Sequence, residues 1–126
     1  MTQDVAAAGG PDVADCVFCR IAAGEIPSAV VHADDLVVAF RDLAPRAPTH
    51  VLLIPRRHVA SAAALGEGDG PMLGRLFAVA AQLARTEGIA EDGYRLVTNV
   101  GRDGGQTVGH LHLHLLGGRA LEWPPG

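Results

Sequence analysis

Three stretches carry side chains able to do chemistry. "GHLHLHLLGG" (109–118) places His110, His112 and His114 at every second position. "GGQTVG" (104–109) sets glycines beside an amide and a hydroxyl, and "CVFC" (16–19) spaces two cysteines as C-x-x-C. A strand turns successive side chains to opposite faces, so the three imidazoles share one face while Leu111, Leu113 and Leu115 anchor the other. Same-face neighbours on a strand stand roughly 6–7 Å apart, whereas a metal ligand must come within about 2 Å of its ion. Three rings on a regular strand therefore cannot share one metal, and different jobs follow. A glycine-rich loop whose N–H groups converge is an anion nest, which phosphoryl chemistry needs around its oxygens. C-x-x-C leaves two readings open, half of a metal site or a thioredoxin-like redox pair.

The elements that must position these groups follow from periodicity and punctuation. In "DCVFCRIAAGEIP", Asp15 as cap and Gly24 as stop predict a short helix. "SAVVHADDLVVAFRD" predicts a hairpin with strands near 28–32 and 36–41, and "HVLLIP" (50–55) a buried strand. A second helix is expected after Pro55, in "RHVASAAAL", ending at "GEGDG". From Pro71 to the Gly88 stop, Leu73, Leu76, Phe77, Ala80, Leu83 and Ala84 keep helical spacing. Met72 and Val79 lie off that stripe, which suggests a second buried face against a partner subunit. Residues 94–100 and 110–116 read as the last strands. The order predicts an α+β domain over 15–126 with a mostly antiparallel sheet, behind a mobile tail at 1–14.

Composition narrows the function classes. The chain has 126 residues, is 48% hydrophobic and 19% charged, which fits one globular domain. A net charge of −4 with no block of like charge argues against a nucleic-acid surface, though not against a single nucleotide. No stretch approaches the roughly 18 apolar residues of a membrane span. The first residues lack a positive start and an apolar core, so a cytoplasmic location is expected. All ten basic residues are arginine, so no lysine serves as nucleophile or phosphate clamp.

H-x-H-x-H followed by two apolar residues resembles the histidine-triad superfamily. "IPSAVVHADDLVVAFRDLAPRAPTHVLLIPRRH", "GYRLVTNVGRDGGQTVGHLHLHLLGGR" and the final "WPPG" look like its nucleotide-binding branch, over essentially 16–126. The resemblance implies a five-stranded sheet, a long dimer-interface helix and a short N-terminal helix. It implies that His112 attacks the α-phosphorus of a purine nucleotide, its other ring nitrogen held by a backbone carbonyl near His110, with water cleaving the nucleotidyl-histidine. His114 and Thr107 would complete the catalytic set, contacting the phosphate or leaving group. Gly105, Gln106, Val108 and Asn99 would contact phosphate. Asp42 would accept the ribose hydroxyls, beside Phe40, Leu43 and Ile21 at the base.

In many bacterial relatives the paired cysteines bind zinc together with the histidine of "PTH" and the first triad histidine. Carried over, the ligands are Cys16, Cys19, His50 and His110, a closed structural set. His58 resembles a residue at the pocket mouth and reads equally as a helix cap, while His32 is expected in an exposed turn. Gly109 stands where relatives carry a bulky aromatic. Trp123 would reach the partner's active site in a homodimer. The implied activity is hydrolysis of the P–N bond of AMP- or GMP-linked amines. A dinucleoside-polyphosphate or acyl-adenylate hydrolase, and a nucleotide-binding interaction protein with vestigial catalysis, are its rivals.

Overall fold

A computed structural model describes residues 13–126. The tail expected at 1–14 lies outside the described residues up to position 12, and Val13–Asp15 form a 3-10 turn. Five strands follow: β1 (Val30–Ala33), β2 (Val37–Arg41), β3 (Thr49–Pro55), β4 (Tyr94–Val97) and β5 (Leu113–Gly117). They form one sheet in the order β1-β2-β3-β5-β4, every pair antiparallel. Helix α1 (Val17–Ala22) precedes the sheet, and α2 (Gly70–Thr86) lies between β3 and β4 in the chain. No helix among the described residues is long and apolar enough to cross a membrane.

Strand alternation divides the molecule into two layers around the sheet. Val37, Ala39, Val51, Leu53, Leu113 and Leu115 meet Leu76, Val79, Ala80, Leu83 and Ala84 of α2 in the larger core. The intervening residues Val38, Phe40, Leu52 and Ile54 meet Phe18 and Cys16 on the α1 side. All seven residues of β3 are buried, as a central strand covered on both faces requires. Pro71 opens α2. At its other end Gly88 takes φ +78°, and Ile89 N–H bonds Ala84 O at 3.0 Å while Ile89 itself joins the core.

Four expectations are corrected. Residues 56–61 form no helix; only the 3-10 turn Ala62–Ala64, capped by Ser61, appears there. Tertiary partners hold that backbone instead: Leu111 N–H bonds Val59 O, and the Gln106 amide bonds Ala60 O. The last strand begins at Leu113, not at 110. Continuing the β3–β5 register would set Leu111 opposite Pro55, which has no N–H to give the ladder. Helix α1 is capped by Cys16, whose sulfur accepts Cys19 N–H, and not by Asp15. Met72 and Val79 are buried in the chain's own interior, so they offer no face to a partner; Phe77 is the large apolar α2 side chain left exposed, at 50%.

Candidate active site and metal cluster

His110, His112 and His114 project from the sheet end toward α1, but only His114 lies within a strand. Phe18 of α1 sits edge-on to both His110 and His112. His112 Nδ1–H donates to the His110 carbonyl at 2.7 Å. That bond fixes the tautomer, so the lone pair is on Nε2, which has no partner among the described residues. Burial lowers the pKa of His112 against the opposing pull of the His110 carbonyl and Asp42, so the ring is neutral at pH 7.

His114 is oriented by a second chain of bonds. Arg46 N–H donates to His50 Nδ1 at 3.0 Å. A backbone amide can only donate, so the His50 proton lies on Nε2, and it is given to His114 Nδ1 at 2.9 Å. The His114 proton is thereby fixed on Nε2, where it is free to donate. Burial and the neighbouring His112 and His50 rings push His114 down to about 4, against the pull of Asp42. Asp42, His50 and His114 lie close enough to suggest a metal site. The required proton on His50 Nε2 takes away the lone pair such a site would need.

The rings of His112 and His114 form one wall of a cleft of about 330 Å³. Ile21, Phe40, Leu43 and Val108 contribute apolar lining, and Asp42 and Thr107 polar lining. The cleft thus gathers eight of the residues singled out in the sequence. Asn99, Gly105 and Gln106 are not among them. The Asn99 amide donates to Gly104 O at 2.7 Å, and the Gly105 and Gln106 N–H groups bond Arg102 O and Gly101 O. The Gln106 side chain is equally engaged, donating to Ala60 O and Val108 O while accepting from Gly101 N–H. These residues build the loop rather than face the cleft. Gly104 is required there, because a Cβ would collide with the Val100 carbonyl. Thr107 keeps both its hydroxyl and its N–H without partners among the described residues. A larger groove of about 630 Å³ runs past Pro48, Ile89 and Arg119, but no histidine or cysteine reaches it.

The second cluster is Cys16, Cys19, His58 and His110, and His50 is not part of it. His110 Nδ1 lies 3.3 Å from Cys16 Sγ and 3.5 Å from Cys19 Sγ, and His58 Nδ1 lies 3.3 Å from Cys19 Sγ. With Zn–S about 2.3 Å and Zn–N about 2.0–2.1 Å, a tetrahedral site has S···N edges of about 3.5 Å. The residues fit. His110 Nε2–H donates to Pro55 O at 2.9 Å, which leaves Nδ1 as the ligating atom. His58 Nε2 is buried without a hydrogen-bond partner among the described residues, so among them that ring is hydrogen-bonded only through Nδ1. Burial and the adjacent Cys16 sulfur push the Cys19 thiol up to about 12. The Cys19 sulfur becomes a thiolate at neutral pH only beside a cation. His32, expected to be exposed, is half-buried and bonds Asp34 at 2.6 Å.

A family model, the HIT domain, matches residues 23–121. The chain belongs to the HIT family. HIT relatives share most of its length. The purine nucleoside phosphoramidase of Escherichia coli K12 is 51% identical over 107 residues, spanning 85% of this chain and 90% of that protein. A HIT family hydrolase from Legionella pneumophila Philadelphia 1 superposes with a TM-score of 0.88 at 52% identity, covering 89% of this chain and all of that one. A histidine triad nucleotide-binding protein from Candida albicans gives 0.75 at 31% identity, covering 87% and 83%. The antiparallel five-stranded sheet and single long helix are those of a HIT fold.

Proposed function

We propose that this HIT protein hydrolyses the P–N bond of purine nucleoside phosphoramidates in two steps. The observation that carries this is the His112 Nδ1–H···O=C bond to His110, which leaves an unpartnered basic Nε2 at the wall of the cleft. Nε2 attacks the α-phosphorus, the P–N bond breaks, and the amine departs with a proton from solvent. Water then attacks the nucleotidyl-histidine, releasing the mononucleotide and restoring His112. His114 Nε2–H and the free N–H and hydroxyl of Thr107 donate to phosphate oxygens as charge develops there. Asp42 takes the ribose hydroxyls, with the base between Ile21, Phe40 and Leu43. The E. coli relative's activity supports this leaving group.

The test is a comparison of an AMP-amine phosphoramidate with diadenosine polyphosphate as substrates. Faster phosphoramidate cleavage is expected. Preference for the polyphosphate would reassign the leaving group, and turnover of neither would favour a binding protein.

The site also sets a pH dependence. His112, held below its ordinary value of 6.5, is an uncharged nucleophile throughout the neutral range. In a pH–rate profile, the acid limb of kcat/KM will have its midpoint below 6.5. A histidine-type decline already under way at pH 7.5 would contradict it. Stability follows the same sign. The contribution of neutral His114 is complete above 6.5 and is lost as pH falls from there toward about 4.

Cys16, Cys19, His58 and His110 would hold a structural zinc, which supplies a cross-link between α1 and the segments after β3 and before β5. The protein would work as a homodimer in the cytoplasm, with α2 at the interface. Phe77, half-exposed on that helix, is the apolar anchor. Phe77→Asp is expected to yield monomers by sedimentation with the fold retained, and an unchanged dimer would remove α2 from the interface.

A further inference from the structure

The sheet runs out on both sides of β5 just before the nucleophile. Its ladder with β3 ends at Leu53 and Leu113, and its ladder with β4 ends at Val97 and His114. The His112 peptide therefore lies outside both ladders. On the β4 side the strand stops at Val97, and the Asn99 side chain is engaged on Gly104 O across the turn that follows. A side chain makes the missing bond: the Thr98 hydroxyl donates to the His112 carbonyl at 2.9 Å, the only partner of that carbonyl among the described residues.

We infer that Thr98 is a positioning residue, whose hydroxyl replaces the lost ladder bond and fixes the peptide from which His112 projects. Thr98 does not line the cleft, so it acts through His112 and not on the substrate. A β-branched side chain has a stiff χ1, which sets the hydroxyl in place before any substrate binds. Valine has the same shape without the donor. Thr98 is exposed, so in its absence water satisfies the carbonyl but does not anchor it. The loss then falls on the aim of His112 Nε2 and not on the stability of the sheet. Near-attack geometry is sensitive to such small displacements.

The inference rests on His112 being the nucleophile, and its test is separable from that reading. Steady-state kinetics and thermal unfolding of Thr98→Val and Thr98→Ser, with the AMP-amine phosphoramidate, decide it. Thr98→Val is expected to lower kcat roughly 3- to 10-fold, the size of one modest hydrogen bond, with KM and unfolding temperature unchanged. Thr98→Ser, which keeps the donor, is expected to restore kcat. A valine variant with wild-type kcat overturns the inference. So does a loss that serine fails to repair, or one that tracks a fall in unfolding temperature. Wild-type turnover, and its abolition in His112→Ala, report on the nucleophile whatever Thr98→Val does.

Discussion

His112→Ala will reduce kcat/KM for the phosphoramidate by a factor on the order of 10⁴ or more, as removal of a covalent nucleophile does. The fold will survive, because the ring lies against Phe18 and His114 at the edge of the sheet and not within the α2 core. Substrate affinity will change little, since the apolar wall and Asp42 remain. The contrast between lost turnover and retained nucleotide binding, measured by titration with the mononucleotide, separates a nucleophile from a mere contact. Turnover surviving in the variant would sink the mechanism.

The second large effect is expected at the cysteine–histidine cluster. Protein purified without chelator should contain about one zinc per chain, and Cys16→Ser or His58→Ala should lose it. A bound structural metal contributes folding free energy directly. If only about 3–4 kcal/mol of that contribution is lost, the unfolding temperature falls by roughly 10 °C for a domain of this size. A further consequence comes through His110. Its ring faces both sulfurs, and its carbonyl holds the His112 Nδ1–H, so a loosened ring loosens the tautomer lock. Metal-free protein should therefore lose kcat before it loses nucleotide binding. Zinc-free protein whose unfolding temperature is indifferent to chelator would refute the metal assignment.

The choice between His50 and His58 shows what local sequence could not decide. His50 is the second residue of β3, and His58 lies just past its end. The antiparallel register sets His50 opposite Leu116, at the far end of β5 from His110. That separation is about six residues, or roughly 20 Å along a strand. His58 follows Pro55, whose carbonyl already bonds the His110 ring, and so reaches the cluster. Type and spacing admitted either histidine; only strand pairing distinguishes them. His50 instead bonds His114 Nδ1, and no sequence signal announced that contact.

The alternation in "HLHLHLL" was legible because period 2 survives even where the ladder ends. The helix expected in "RHVASAAAL" (57–65) failed because the backbone partners of Val59 and Ala60, Leu111 and Gln106, come from distant segments. Of the glycine-rich loop, Thr107 and Val108 line the cleft. Which of its N–H groups stay free depended on turn bonds within 99–106 that composition does not encode.

Covalent nucleotidylation of His112 leaves a stereochemical record. The stereochemical course at phosphorus tests it most directly, using a substrate chiral at the α-position and isotopically labelled water. Each in-line displacement inverts phosphorus. Two displacements, through His112 and then water, give net retention. Net inversion would mean that water attacks directly, and would rule out a nucleotidyl-His112 intermediate.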